Sequence, residues 1–175
     1  MYKASKIVFS PRVRKSPYFE STMKHGVQAF SVYNHMYMPI SFEGTVEDYK
    51  NLLNGVQLWD VGVERQVQIK GPDAEALSQF LTPRNIKKCL KGQAMYAPFL
   101  DFKGGFINDP VMLKIDEDCY WFSLADGDAL LWAEGIASGF KFDVDIHEPD
   151  VSPLQVQGPN STELMTRVFG DWVNN

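Results

Sequence analysis

The sequence has little cysteine or histidine and no long apolar run. Its apolar stretches are short and interrupted, so we expect no membrane-spanning segment, and no apolar core of a signal peptide follows the basic start. The two cysteines, Cys89 and Cys119, are isolated from each other and from the three histidines. Because no Cys-x-x-Cys or His-x-x-x-His spacing occurs, we predict no metal site. Two free thiols are typical of a reducing, cytoplasmic location.

Several motifs of enzyme active sites are also missing. There is no Gly-x-Ser-x-Gly turn for a nucleophilic serine, and neither cysteine has a histidine nearby in sequence. The pair Gly104-Gly105 lies in a predicted hairpin rather than between a strand and a helix. It therefore indicates neither a phosphate-binding loop nor a dinucleotide fingerprint.

The charge is distributed unevenly along the chain. Five basic and no acidic residues fall within residues 1–15, whereas the remainder carries 12 basic and 22 acidic residues. Such an acidic body argues against nucleic-acid binding, which depends on neutralising phosphates. We predict that residues 1–15 are a basic, poorly packed lead-in and that residues 16–175 form one globular domain.

Hydrophobic periodicity and turn residues predict an α+β fold with mixed or antiparallel sheets and packed helices. The predicted helices are Ser16–His25, Thr45–Asn54 with Thr45 as N-cap and Asp48 at N3, one after Gly71-Pro72, one capped by Asp126 or Asp128, and one from Pro159 to Phe169. The predicted strands are 27–33, 57–62, 65–70, 93–100, 107–115, 119–125, 140–146 and 151–156. An irregular loop is predicted from Asn34 across Pro39.

One strand–Gly-Pro–helix pattern occurs twice, at Ile69–Ala74 and again at Val156–Ser161. The repeat indicates either a duplicated βα unit or a chance similarity of two helix starts.

The stretch Gly104-Gly105-Phe106-Ile107-Asn108-Asp109-Pro110 combines a hairpin turn with a carboxylate whose backbone is restricted by the proline after it. Local residues alone favour an ordinary turn. The alternative is a positioned acid, base or cation partner at Asp109.

Aromatic residues lie near the ends of many predicted strands. They are Tyr33, Trp59, Tyr96, Phe102, Phe106, Trp121 and Trp132. Most such residues fill a core, but aromatic faces also bind planar rings and onium cations. By contrast, the alternation of Glu64 and Arg65 with apolar positions favours a solvated edge.

Five segments, taken in order and spacing, resemble the glycine-cleavage T-protein (aminomethyltransferase) superfamily of tetrahydrofolate enzymes. They are Trp59-Asp60-Val61, Lys70-Gly71-Pro72-Asp73-Ala74, Gly92-Gln93-Ala94-Met95-Tyr96, Gly104-Gly105-Phe106-Ile107-Asn108-Asp109 and Val156-Gln157-Gly158-Pro159. Three further segments resemble the branch that demethylates dimethylsulfoniopropionate: Tyr33-Asn34-His35-Met36, Leu58-Trp59-Asp60-Val61 with Glu64-Arg65-Gln66, and Glu148–Leu154.

The chain departs from true aminomethyltransferases at two places. It has Asp60-Val61-Gly62-Val63-Glu64 where they carry Asp-Val-Ser-His-Met, and Asn108-Asp109-Pro110 where they carry Asp-Asp-Leu. The resemblance implies that Asp109 is catalytic, that Tyr96, Asp109 and Glu64 bind tetrahydrofolate, and that Tyr33, Trp59, Asn108 and Trp121 bind the substrate.

The resemblance also implies an incomplete, N-terminal folate-binding domain, inactive by itself, since family members are about twice this length. Our first hypothesis is a tetrahydrofolate-dependent methyltransferase acting on a small onium substrate, with dimethylsulfoniopropionate favoured. A glycine-cleavage-type aminomethyltransferase and a folate-binding module without turnover are the alternatives. The sequence leaves the methyl donor and the oligomeric state open.

Overall fold

A computed structural model describes residues 12–174. Two compact units are present: unit 1 ends at Val63 and resumes at Pro153, and unit 2 runs from Glu64 to Ser152. Most of the predicted basic lead-in, residues 1–11, lies outside the described residues. Within its described part, Arg14 donates its backbone N–H to His35 O at 2.8 Å and accepts from Tyr37 N at 3.0 Å.

The predicted α+β class is confirmed. In the described chain the helices are α1 (Phe19–Lys24), α2 (Thr45–Asn54), α3 (Ala74–Leu81), α4 (Ala129–Phe140) and α5 (Ser161–Phe169), with short 3-10 helices at Ile86–Lys88 and Asp171–Asn174. The strands are β1 (Ala29–Tyr33), β2 (Met36–Ser41), β3 (Gln57–Asp60), β4 (Gln66–Lys70), β5 (Ala94–Tyr96), β6 (Phe99–Leu100), β7 (Phe106–Asn108), β8 (Val111–Asp116), β9 (Cys119–Ser123), β10 (Asp145–His147) and β11 (Leu154–Gln157). All pairings between these strands are antiparallel.

Unit 2 is built on a five-stranded sheet of order β10-β4-β9-β8-β5. One face of this sheet carries side chains with no solvent exposure, including Val67, Met112 and Phe122. They form a core with residues of α3 and α4 such as Leu77 and Ala133. Burial of these apolar side chains stabilises the unit by about 1.5–3 kcal/mol for each large one.

Two of the predicted strands in unit 2 are shorter than expected because prolines interrupt them. The strand predicted over 93–100 is divided into β5 and β6 around Pro98, and the one over 107–115 into β7 and β8 around Pro110. Proline has no N–H for the ladder, which explains both breaks. The strand predicted from Phe140 is also wrong at its start, since α4 continues to Phe140 and ends at Lys141 with φ +59°.

In unit 1 the irregular loop predicted from Asn34 is wrong. Strand β2 begins at Met36 and pairs with β1, so the segment is the second arm of a hairpin. Its two-residue turn, Asn34 and His35, has φ values of 48° and 59°. Positive φ at both positions matches a type I′ turn, which asparagine tolerates well.

Helix α2 has the predicted bounds but a different cap. Gly44, with φ +126°, occupies the N-cap position, and no side chain caps the helix. Asp48 instead turns back onto the preceding loop, where its carboxylate accepts the backbone N–H of Phe42 at 3.0 Å and of Glu43 at 3.1 Å. These bonds hold the pKa of Asp48 below its usual value.

The repeated Gly-Pro pattern has the same backbone geometry in both units. Gly71 has φ +139°, and the N–H two residues later donates to Asp143 O at 3.2 Å. Gly158 has φ +132°, and the N–H two residues later donates to Gly55 O at 3.1 Å. In unit 2 the acceptor, Asp143, lies just before β10, which pairs with β4, the strand that precedes Gly71. In unit 1 the acceptor, Gly55, lies just before β3, which pairs with β11, the strand that precedes Gly158. Only glycine fits, because a Cβ on Gly71 would lie 2.8 Å from Asp143 O.

Candidate functional site

The face of the five-stranded sheet opposite to the core carries aromatic, aliphatic and polar side chains, and we call it the mixed face. Because successive side chains on a strand point to opposite faces, the residues beside Val67, Met112 and Phe122 lie on it. The strand register aligns them in two rows, Tyr96–Val111–Ser123–Gln66 and Ala94–Leu113–Trp121–Gln68–His147. Two cross-strand hydrogen bonds agree with this assignment, from Gln66 Nε2 to Ser123 Oγ at 2.7 Å and from Trp121 Nε1 to Gln68 Oε1 at 2.9 Å.

Two predicted carboxylates lie at one end of this sheet. Glu64 precedes Gln66 by two positions and Asp109 precedes Val111 by two, so both lie just before the first residues of β4 and β8. Their strands, β4 and β8, are separated only by β9. Two strand spacings put these strand starts about 10 Å apart.

Of the predicted site residues, Tyr96 and Trp121 therefore share the mixed face, while Glu64 and Asp109 lie at the strand starts along its edge. Tyr96 is 47% exposed at the end of β5, and Trp121 is half-buried in the middle of β9. An aromatic surface bordered by carboxylates can bind a planar or cationic group.

Asp109 is exposed at the junction between β7 and β8. Within residues 12–174 its carboxylate has no hydrogen-bond or ion-pair partner. The next residue, Pro110, is buried, and its carbonyl accepts the N–H of Ala97 at 3.0 Å. The carboxylate is thus free to meet a ligand, while the backbone beside it is fixed.

Asn108 has a different environment from Asp109. It is only 5% exposed, and its side chain lies against the loop that joins β9 to α4. Its Nδ2 donates to Ala125 O at 3.0 Å and Asp126 O at 3.3 Å, and its Oδ1 accepts from Ala125 N at 3.0 Å. The amide predicted to bind substrate is engaged with backbone.

Glu64 and Arg65 do not form the solvated edge that their alternation predicts. Glu64 is half-buried, and this burial raises the pKa of its carboxyl. The Arg65 guanidinium forms an ion pair with Glu148, and the two side chains are 14% and 23% exposed. The pair is half-buried, so breaking it should be destabilising, because the charge left behind loses its compensation. This pair also joins two of the segments that carry the branch-level resemblance.

A chain of polar contacts runs across the middle of the mixed face. Trp121 donates to Gln68, whose Nε2 lies 3.4 Å from His147 Nε2, and His147 Nδ1 lies 2.8 Å from Asp145 Oδ2. Cys119 Sγ lies 3.6 Å from the same Gln68 oxygen, and burial raises the pKa of its thiol. Gln68 is thus a shared partner that the sequence analysis missed. Its only signal is the alternation of Gln66 and Gln68 with buried Val67 and Ile69 in β4.

The remaining two predicted site residues belong to unit 1. Tyr33 is half-buried at the end of β1, and Trp59 is 39% exposed on β3. Near them in sequence, Asn34 is 1% exposed and donates to Val63 O at 2.9 Å. Asp60 is 7% exposed and accepts from Ser16 Oγ and from Gly62 N, the latter at 3.1 Å. These buried contacts stabilise unit 1.

In the described residues no helix is both long and apolar enough to cross a membrane.

Other candidate centres are less suited to chemistry. No group of three His, Cys, Asp or Glu side chains comes together in the described part of the chain as a metal site would require. A cavity of about 220 Å³ between Phe80, Phe102 and Trp132 lies beside α3 and α4 and is mostly apolar. It brings none of the predicted site residues together.

Comparison with known proteins identifies the family. Residues 18–175 match the GCVT N-terminal domain. The chain belongs to this family. The resemblance seen in the sequence is thereby confirmed.

Individual relatives refine this picture. The chain is 48% identical over 166 residues to the dimethylsulfoniopropionate demethylase DmdA of Ruegeria pomeroyi, a match that covers 95% of this chain and 46% of the relative. It is 28% identical over 137 residues to an aminomethyltransferase of Prosthecochloris aestuarii, covering 75% and 38% of the two chains. The chain therefore spans less than half of the length of these relatives.

The fold of this family member is also shared with a solved structure. The glycine cleavage system aminomethyltransferase T of Bartonella henselae superposes with a TM-score of 0.79 at 19% identity. The match covers 89% of this chain and 43% of that one. The predicted fold is therefore confirmed.

Proposed function

We propose that this chain supplies the N-terminal part of a tetrahydrofolate-dependent methyltransferase that demethylates a small onium compound, dimethylsulfoniopropionate above others. The observation that carries the proposal is the 48% identity to a dimethylsulfoniopropionate demethylase, against 28% to an aminomethyltransferase. The mixed face supports it, since two aromatic side chains lie on this face and an exposed carboxylate belongs to the residue just before β8.

The residues of the mixed face fit a reduced folate. A pterin is a planar ring with hydrogen-bonding edges, so its site needs flat apolar contacts and a few polar groups. Tyr96 and Trp121 offer the aromatic contacts, while Glu64 and Asp109 offer carboxylates at the edge of the sheet. When bound, tetrahydrofolate supplies the nitrogen that accepts the methyl group.

The substrate explains why a single carboxylate is sufficient. A methyl group on a sulfonium already has a neutral thioether as its leaving group, so no strong acid is needed to expel it. The enzyme mainly has to orient donor and acceptor, which can supply several kcal/mol of the barrier. We assign Asp109 to hold the substrate cation or the reactive end of the folate. Trp121 would add cation–π attraction of about 0.5–2 kcal/mol. Tyr33 and Trp59 stay predictions as substrate-binding residues.

We place this reaction in the cytoplasm, with small molecules rather than nucleic acid or membrane as its partners. Cys89 and Cys119 are both free and buried, which fits a reducing compartment. The acidic charge of residues 16–175 disfavours binding to phosphates.

A chimaera tests the proposal. This chain would replace the matching part of the Ruegeria pomeroyi demethylase, and the hybrid protein would be incubated with dimethylsulfoniopropionate and tetrahydrofolate. We expect methyl-tetrahydrofolate and the demethylated thioether to appear in equal amounts. The parent demethylase is the positive control.

Other outcomes of the same assay would favour the alternatives. Methylene-tetrahydrofolate formed from a protein-bound aminomethyl group, without product from the sulfonium, would indicate an aminomethyltransferase. Folate binding with no product from either donor would indicate a binding module.

A further inference from the structure

The amide of Asn108 is engaged on both of its polar atoms by a single loop. Nδ2 donates to the carbonyls of Ala125 and Asp126, and Oδ1 accepts the N–H of Ala125. The side chain is 5% exposed, so these bonds are formed away from solvent. Gly127 follows in the same loop with φ +137°, and a Cβ there would lie 3.4 Å from Nδ2. The loop therefore fits closely around this amide.

Asp109 lies between two anchored residues. Asn108 on one side is tied to the β9–α4 loop, and Pro110 on the other side is buried with its carbonyl bonded to Ala97 N. The ring of Pro110 also restricts the backbone of Asp109 to extended conformations. The neighbours thus set the position of the Asp109 backbone and the direction of its Cα–Cβ bond, while the carboxylate itself has no partner in the described chain.

We propose that Asn108 is a positioning residue that acts through Asp109, rather than a ligand of the substrate. The proposal rests on the function proposed above, in which Asp109 meets substrate or folate. The chemistry of the loop specifies an amide: two carbonyl oxygens need a donor and one N–H needs an acceptor. An aspartate of the same shape would meet the N–H but would place a carboxylate against both carbonyls.

A double-mutant cycle in the chimaera separates positioning from direct binding. We expect Asn108→Ala and Asn108→Asp each to lower turnover by about tenfold or more, since small misplacement of a reacting group is costly. In an Asp109→Asn background the same changes should have little further effect, because the group that Asn108 positions is already disabled. The control is Asn85→Ala, which removes another asparagine-to-backbone bond, to Lys87 N at 3.2 Å, far along the chain from Asp109.

If the double variant loses turnover by the product of the two single losses, at Asn108 and at Asp109, the proposal is overturned. Full turnover in Asn108→Ala would also overturn it. If instead Asp109→Asn keeps full turnover, the proposed role of Asp109 fails. NMR on the 175-residue chain then decides the positioning role. Asn108→Ala should remove hydrogen-exchange protection from Ala125 N–H and shift the carboxyl resonance of Asp109, whereas Asn85→Ala should do neither. An unshifted Asp109 resonance would contradict positioning directly.

Discussion

The indole N–H of Trp121 donates to Oε1 of Gln68 on the neighbouring strand, with 2.9 Å between nitrogen and oxygen. This bond fixes the orientation of the largest side chain on the mixed face. The amide nitrogen of Gln68 lies 3.4 Å from His147, so three strands contribute to holding the ring. A ring held in one orientation offers its face to a ligand at a lower entropic cost.

Replacing Gln68 by Leu should therefore destabilise the chain by about 1–2 kcal/mol, because the half-buried indole N–H loses its acceptor. Urea unfolding measures this loss. The Gln68→Leu change in a Trp121→Phe background is the matched control, and it should cost clearly less. Equal costs in both backgrounds would mean that the bond contributes nothing.

Asp109→Asn should separate activity from stability. The side chain is exposed and has no partner within the described chain, so the free energy of unfolding should change by less than about 0.5 kcal/mol. Methyl transfer by the chimaera should fall by about 100-fold, as is usual when one group that stabilises charge is removed. Asp118→Asn, at the exposed turn between β8 and β9, should leave both quantities unchanged. Turnover equal to that of the parent chimaera would remove Asp109 from the mechanism.

Glu64 should make the chain less stable as pH rises. Its pKa is raised by burial above the usual 4.5, so the folded state binds this proton more tightly than the unfolded state does. The favourable contribution is complete below pH 4.5 and is lost as pH rises through the higher pKa of the folded state. Glu64→Gln should remove this slope. Urea midpoints between pH 4 and 8 on both proteins provide the measurement, and parallel curves would show that Glu64 titrates normally.

The sequence predicts local structure well where a few neighbouring residues decide it. The bounds of α2 and the turn after Asp101 follow from such patterns. The two-residue turn at Asn34 and His35 was not predicted, because both residue types are also common in irregular loops. Positive φ at consecutive non-glycine residues is rare enough that pattern alone disfavours it.

The site shows a different limit. Asp109 and Tyr96 could be named as candidates by resemblance, because each lies within a recognisable segment. The partners of Trp121 and Asn108 could not, since they depend on strand register and loop placement. Gln68 lies 53 positions from Trp121, and Ala125 lies 17 from Asn108. Nothing in the local sequence of either residue specifies such a contact.

Substitutions at Gly71 and Gly92 test the repeated Gly-Pro pattern, since both glycines have positive φ but different surroundings. At Gly92, with φ +82°, a Cβ would meet nothing within 4 Å, so Gly92→Ala should cost only about 1–2 kcal/mol of backbone strain. At Gly71, with φ +139°, the same atom would lie 2.8 Å from Asp143 O and 3.1 Å from Val144 Cα, both of them backbone. Gly71→Ala should add an overpacking cost of about 1–3 kcal/mol to the strain. Chemical denaturation of the two variants compares their free energies of unfolding. Equal decreases would mean that the backbone around Gly71 can move away from an added Cβ without disturbing the sheet.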